Sequence, residues 1–271
     1  MKKLRPLFII VLLPLLFSAC ATNPLTGRTT MALVSNRELF PMAFAQYRQF
    51  LAESTVVTNT ADARMIQRVG ERIATAAQLW LSAEGYGSYM DDYEWEFALI
   101  QDDTVNAWAM PGGKIAFYTG ILPVTQTEAG VAVVMGHEIA HVLLNHGQQR
   151  MSGSLLQELG ALGLTLATLN MSPESQALTM TAYGVGSTLF GTLPFSRQHE
   201  FEADEYGLIL MAIAGYHPAE GAAFWQRMSS YGGASVPQFL STHPSDSNRI
   251  QNLHRLIPVA LAKAAEFGVH Y

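Results

Sequence analysis

Cysteine is all but missing from this 271-residue chain, and Cys20 is the only one. No internal disulfide can form, so the fold must be held by its core. Charge is scarce as well, at 14% of residues, and no cluster of Lys and Arg stands anywhere in the body of the chain. That argues against nucleic acid as a partner. No internal repeat, low-complexity tract or Gly/Pro-rich linker divides the sequence, so a solenoid or a string of modules is excluded. Apolar residues are plentiful, at 49%. A chain of this length and apolarity can bury one sizeable core.

The N-terminus carries Lys2, Lys3 and Arg5, an apolar run from Leu7 to Phe17, and then Ser18-Ala19-Cys20. The run is too short to span a bilayer comfortably and has the layout of a secretory signal peptide. "LFSAC" resembles the lipobox of bacterial lipoproteins, departing from it at Phe17, where an aliphatic residue is usual. A lone cysteine in an exported chain has few other uses. The expectation is a signal peptide over 1–19, a lipidated tether over 20–36 anchored in a bilayer through Cys20, and a single domain over 37–271. Ala21, where an Asp would signal inner-membrane retention, points to the outer membrane of a Gram-negative-type envelope, on its periplasmic face. Loss of residues 1–19 removes three of the 16 basic residues and leaves 13 against 22 acids, a net charge of −9.

Helical spacing predicts helices over about 37–53 and 60–83, the second with Ile66, Val69, Ile73, Ala76, Ala77 and Trp80 on one stripe. Residues 93–122 change character. "YEWEFALI" alternates as a strand does, and Pro111-Gly112-Gly113 reads as a turn between two extended arms. Pro111 puts the first arm at a sheet edge or at its end. A long helix is expected from Thr125 or Thr127 to about Arg150, with Thr125 and Glu128 at capping-box spacing. Residues 153–193 are apolar and small, split by "NMSPES" into a helical hairpin; Gln157 and Glu158 spoil its first half as a membrane span. Further helices are expected over 196–214, from Pro218, and over about 245–267. The fold class is mainly α with a small β-sheet, α+β in one domain.

At the centre of the long greasy helix stands "VVMGHEIAHVLL". Three buried polar groups there are costly unless something compensates their desolvation, and a metal ion would. His137 and His141, at i and i+4, leave one helix face a turn apart and can reach one ion, while Glu138 beside them can hold a water. This H-E-x-x-H spacing is the signature of a zinc-protease helix.

Two histidines leave the site a ligand short. The remaining candidates are His146, His199, Glu200, Glu202, Asp204, Glu205, His217 and His243. In "SRQHEFEADEYGLILMAIAG" one stripe reads Glu200, Ala203, Asp204, Gly207, Leu208, Met211 and Ala214, a face suited to close helix packing with two acids a turn apart. If it packs on the histidine helix, Glu200 can complete the ligand set and Asp204 can accept a hydrogen bond from a ligand histidine. Glu202, Glu205, His146, His199, His217 and His254 read as charged-turn, surface or structural residues.

"HEIAH" and "SRQHEFEAD", preceded by "NAWAMPGGKIAFYTGIL" and followed by "STHPSDSNRI", resemble metallopeptidase family 48, and the lipobox with "NPLTGR" is similar to its LoiP-like lipoprotein branch. The resemblance spans about 23–258. It implies a zincin-type (gluzincin) metalloprotease domain with one zinc per chain on His137, His141 and Glu200, Glu138 as general base and Asp204 behind the ligands. It also implies a substrate-pairing strand at Asn106, Ala107, Trp108 and Ala109, which agrees with the inferred edge, since a free edge can add a peptide as an extra strand. Its implied partners are unfolded or misfolded envelope proteins, with outer-membrane assembly machinery nearby. His243 in "STHPSD" stays open between a helix-start residue, a fourth ligand plugging the cleft, and an oxyanion donor. The rival reading is a non-catalytic assembly factor or chaperone with a structural zinc, against which Glu138 speaks.

Overall fold

A computed structural model describes residues 20–231, 237–243 and 248–271. The expected signal peptide, Gly232-Gly233 and Pro244 lie outside them. Helix α1 (Asn36–Glu53) opens with a capping box in which Ser35 and Glu38 satisfy each other's backbone N–H. Helix α2 (Ala61–Ala83) is capped by the Thr60 hydroxyl, and its anticipated apolar stripe from Ile66 to Trp80 is buried throughout. Each fully buried Ile or Leu on it contributes roughly 1.5–3 kcal/mol.

The chain begins with a small hairpin, β1 (Cys20–Thr22) and β2 (Thr29–Met31). The stretch read as a tether therefore carries structure. Asn23 is buried, and its amide donates to the Leu143 carbonyl at 2.7 Å, capping one of the carbonyls that a helix end leaves free.

The main sheet holds β3 (Val56–Val57), β4 (Glu96–Ile100), β5 (Ala107–Met110) and β6 (Lys114–Tyr118) in the order β3-β4-β6-β5. Strands β4 and β6 are parallel and β5 and β6 antiparallel, with Trp108 opposite Ala116. The Pro111-Gly112-Gly113 turn needs its glycines: both have positive φ, at 81° and 97°. A Cβ on Gly112 would also meet the Phe44 ring at 2.5 Å. Strand β5 ends the sheet, so the expected edge strand is present.

After α3 (Leu122–Thr125) comes α4 (Glu128–Leu143). Its cap is Thr127, whose hydroxyl accepts from Gly130 N at 3.0 Å, rather than Thr125. Gln126 intervenes at φ 61°, and Glu128 turns outward to accept from the Tyr216 hydroxyl. Nor does this helix reach Arg150. Asn145 adopts the left-handed conformation at φ 57°, a geometry Asn tolerates, and α5 (His146–Ala167) starts afresh. Asn145 is held there by Tyr89 and Asn36 through its side-chain amide.

Helices α5 and α6 (Pro173–Ser187) form the expected hairpin, clasped by Tyr183, whose hydroxyl donates to the Gln157 carbonyl. A π-turn over 188–192 leads into α7 (Leu193–Ile213), which ends at Gly215 with φ 85°. Helix α8 (Glu220–Ser230) begins two residues after Pro218, since Ala219 is its N-cap. Helices α9 (Gln238–Thr242) and α10 (Arg249–Glu266) close the chain. Among the described residues, no helix is long and apolar enough to cross a membrane.

What positions the site is the crossing of α4 and α7. A Cβ on Gly136 would lie 2.7 Å from the Gly207 carbonyl oxygen, and one on Gly207 would lie 2.8 Å from His137 N. Two glycines face each other, so the two backbones touch. The small-residue stripe foreseen on α7 is the surface that meets α4.

Candidate active site

Because α4 and α7 run this close, residues one to two turns up α7 come level with His137 and His141. Glu200 lies between the two rings: its Oε2 is 3.3 Å from His137 Nε2 and its Oε1 3.4 Å from His141 Nε2. The two Nε2 atoms are 3.0 Å apart. His243, at the end of α9, puts Nδ1 3.1 Å from His137 Nε2 and 3.1 Å from Glu200 Oε2. One ligand atom from each of His137, His141, Glu200 and His243 lies within 4.8 Å of the others, and all four residues are buried.

Four lone-pair groups do not converge in a core without a cation among them. Burial alone would depress His137, but hydrogen bonds and charge from Asp204 and Glu200 raise it to about 9. Burial pushes His141 well below its ordinary value. Glu200 is held far below the usual carboxylate range despite its burial, by hydrogen bonds with His137 and His243. Imidazole nitrogens and one carboxylate in this geometry fit a divalent metal.

Glu138 follows His137 on α4 and is buried. Burial raises its pKa, opposed first by the charge of His243. Its Oε1 lies 3.3 Å from His243 Nε2, yet has no hydrogen-bond partner among the described residues. A buried carboxylate oxygen left this way is suited to receive a proton or hold a water.

Asp204, a turn beyond Glu200, accepts from His137 Nδ1 at 3.0 Å and so fixes which nitrogen faces the cluster. Behind it stands a residue the sequence reading did not single out. Arg249, at the start of α10, donates to Asp204 Oδ1 at 2.6 Å and to the His243 carbonyl. Its guanidinium sits 3.4 Å from the centre of the Trp225 ring. Burial opposes the ionisation of Asp204, and Arg249 and His137 outweigh it to keep its pKa low. The only sequence hint was position, since "SNRI" stands just past the histidine of "STHPSD".

Two further residues stand in a chain behind His141. His146 is fully buried, with Nδ1 2.8 Å from His141 Nδ1. Glu202 accepts from the other nitrogen of His146 at 3.2 Å. His146 thus takes the structural one of its two expected roles, and Glu202 is partly buried rather than a solvated turn residue.

The strand residues divide by side. Ala109 and Met110 share a small pocket with His141, Val142 and Gly147, so the end of β5 borders the cluster. Trp108 packs the other way, edge-on to Phe50 at 4.8 Å between ring centres, with its indole N–H on the Tyr118 hydroxyl. Ala107 is wholly in the core. Asn106 is buried, and its Oδ1 lacks a partner among the described residues.

A mainly helical domain with a small mixed sheet, presenting H-E-x-x-H from α4 and an acid pair from α7 packed across it, is a zincin-type metalloprotease domain. Residues 60–257 match the model of peptidase family M48, and the chain belongs to that family. It is 35% identical over 181 residues to mitochondrial metalloendopeptidase OMA1 of Saccharomyces cerevisiae, covering 64% of this chain and 50% of the yeast protein. With the human mitochondrial metalloendopeptidase OMA1 it shares 30% identity over 254 residues, 90% of this chain and 47% of the other. It is 28% identical over 181 residues to the β-barrel assembly-enhancing protease of Escherichia coli K12, covering 63% of this chain and 37% of that protein. The chain thus spans about half or less of the length of these relatives.

Proposed function

We propose that the protein is a zinc endopeptidase of a bacterial envelope, held at the periplasmic face through a lipid on Cys20, that cuts misfolded or stalled envelope proteins. The observation that carries the catalytic part is the convergence of His137, His141, Glu200 and His243 beside the unpartnered oxygen of Glu138. The envelope setting rests on the lipobox-like "LFSAC" and on the bacterial relative named as an assembly-enhancing protease.

His137, His141 and Glu200 would hold the zinc. When bound, it supplies Lewis acidity, polarising the scissile carbonyl and making a water acidic enough to ionise near neutral pH. Glu138 orients the attacking water, takes its proton on the free oxygen, and passes it to the leaving amine. Asp204, buttressed by Arg249, keeps His137 in the tautomer whose Nε2 faces the metal. The substrate backbone would add to the free edge of β5, bringing a peptide bond past the Ala109 end of that strand.

His243 we read as a latch. It stands on the other ligands with Nδ1 and faces Glu138 with Nε2, where a water and the base would have to act. A fourth protein ligand closes the position that catalysis needs open. His243→Ala is therefore expected to raise basal proteolysis. A fall of about 10²-fold would instead mark it as an oxyanion donor.

The test is incubation of the purified chain beginning at Cys20 with an unfolded protein, with and without a chelator. Cleavage that stops on chelation and returns with zinc is expected. Zinc-replete protein that leaves unfolded chains intact would move the reading to a non-catalytic assembly factor.

A further inference from the structure

We infer that His146 is a positioning residue for His141, and that Glu202 behind it sets the direction of the hydrogen bonds, so that His141 Nε2 is left bare for the cation. The inference rests on the reading of the site as a metal centre.

Four observations lead to it. His141 Nδ1 and His146 Nδ1 are 2.8 Å apart, so one of them carries the proton between them. His146 Nε2 is 3.2 Å from Glu202 Oε2. Glu202 is a carboxylate already engaged by the Arg28 guanidinium and by the Gln198 amide at 3.0 Å, so it accepts rather than donates. His146 is wholly buried and stacked on the His199 ring, 4.0 Å between centres and 12° from parallel.

The direction then follows from one proton. A neutral imidazole has one N–H and one acceptor nitrogen, and the carboxylate of Glu202 facing Nε2 can only accept. Glu202 claims that N–H at Nε2. His146 Nδ1 is left as an acceptor, and His141 must donate to it from its own Nδ1. With its one proton spent there, His141 turns a lone pair from Nε2 toward His137 and Glu200. Opposite tautomers would put an N–H where a metal must bind.

The result is a second support parallel to the first. Arg249 and Asp204 do for His137 what Arg28, Glu202 and His146 do for His141, except that a neutral ring replaces the carboxylate as the direct acceptor. On the Nδ1 side, negative charge thus meets His137 directly and His141 only through an imidazole. The break at Asn145 makes this contact. Five residues along an unbroken helix, His146 would be rotated about 140° from His141.

The experiment is a zinc competition titration of the chain from Cys20, following the zinc dissociation constant rather than proteolysis. His146→Leu keeps most of the volume and removes the acceptor; the zinc dissociation constant should rise 10–100-fold, the usual cost of losing such a partner. His146→Asn places a carbonyl oxygen close to where Nδ1 stood and should bring the constant back to within about fivefold of wild type. Glu202→Ala should weaken zinc by threefold or more, and carries the test if His146→Leu fails to fold. Equal zinc affinity in wild type and both acceptor-directed variants, or an Asn variant as weak as the Leu variant, would overturn the inference. Wild type that takes up no zinc would instead sink the metal-centre reading itself.

Discussion

Helices α4 and α5 are separated by two residues and drawn from similar apolar, glycine-containing sequence, yet they put opposite residues inside. Helix α4 buries everything from Gly130 to Leu143, its histidines and glutamate included. Helix α5 buries His146, Gln148, Gln149 and Ser152, all polar, and then turns Leu155, Leu159, Leu162 and Leu166 outward. Its partner α6 buries no residue at all. Apolarity alone did not decide which helix became core. The difference goes with glycine set against a neighbouring backbone: Gly136 meets the Gly207 backbone, whereas Gly147 and Gly160 meet only side chains and Gly153 and Gly163 meet nothing within 4 Å.

The contrast implies that polar changes inside α4 and α7 are costly while the hairpin tolerates much. The sharpest case is Glu138→Gln, expected to retain zinc and lose roughly 10²–10⁴-fold in cleavage rate, as read by paired metal analysis and peptide turnover. Full turnover by that variant breaks the mechanism. Next, Asp204→Ala should weaken zinc about 10–100-fold in a competition titration. An unchanged titration would mean that His137 needs no orienting partner.

Gly207→Ala forces a Cβ into the backbone of α4 and should cost about 1–3 kcal/mol in denaturant unfolding. Gly163→Ala meets open space and should stabilise by roughly 0.5–1 kcal/mol as a better helix former. If both glycines behave alike, the difference between the two regions is not one of packing.

Acid should separate them too. Burial lowers His199 from 6.5 to about 4 and lowers His141 and His146 well below 6.5. The unfolded chain therefore binds more protons than the folded one between those values, so stability falls as pH drops from 6.5 toward 4. The metal-free protein should lose melting temperature over that window. His199→Gln should flatten the slope, and a slope equal to wild type would remove His199 from the account.

Much of this was legible beforehand. The α2 stripe, the glycine turn, the edge position of β5 and the small-residue face of α7 each follow from local spacing or backbone sterics, and each is present. The convergence of His137, His141 and Glu200 followed because i,i+4 geometry and the α7 stripe fix both halves of it. What escaped was non-local or hinged on a single φ. Asn145 leaves the helical region because Tyr89 and Asn36 grip its amide, partners 56 and 109 residues away. A helix read straight through that point sends His146 to the wrong side and hides its contact with Glu202. Arg249 was missed for the same reason, since its importance lies in reaching Asp204 from 45 residues downstream.

The free border of β5 has a consequence for what the protein would notice. A strand border offers only N–H and C=O groups, which every residue except proline can match, so it has little vocabulary for side chains. Mature proteins occupy their own strand borders or keep them short and guarded. If substrate adds there as proposed, a peptide docking beside His141 would be chosen less for what it spells than for how long it stays unpaired, and the quantity sensed would be a folding delay.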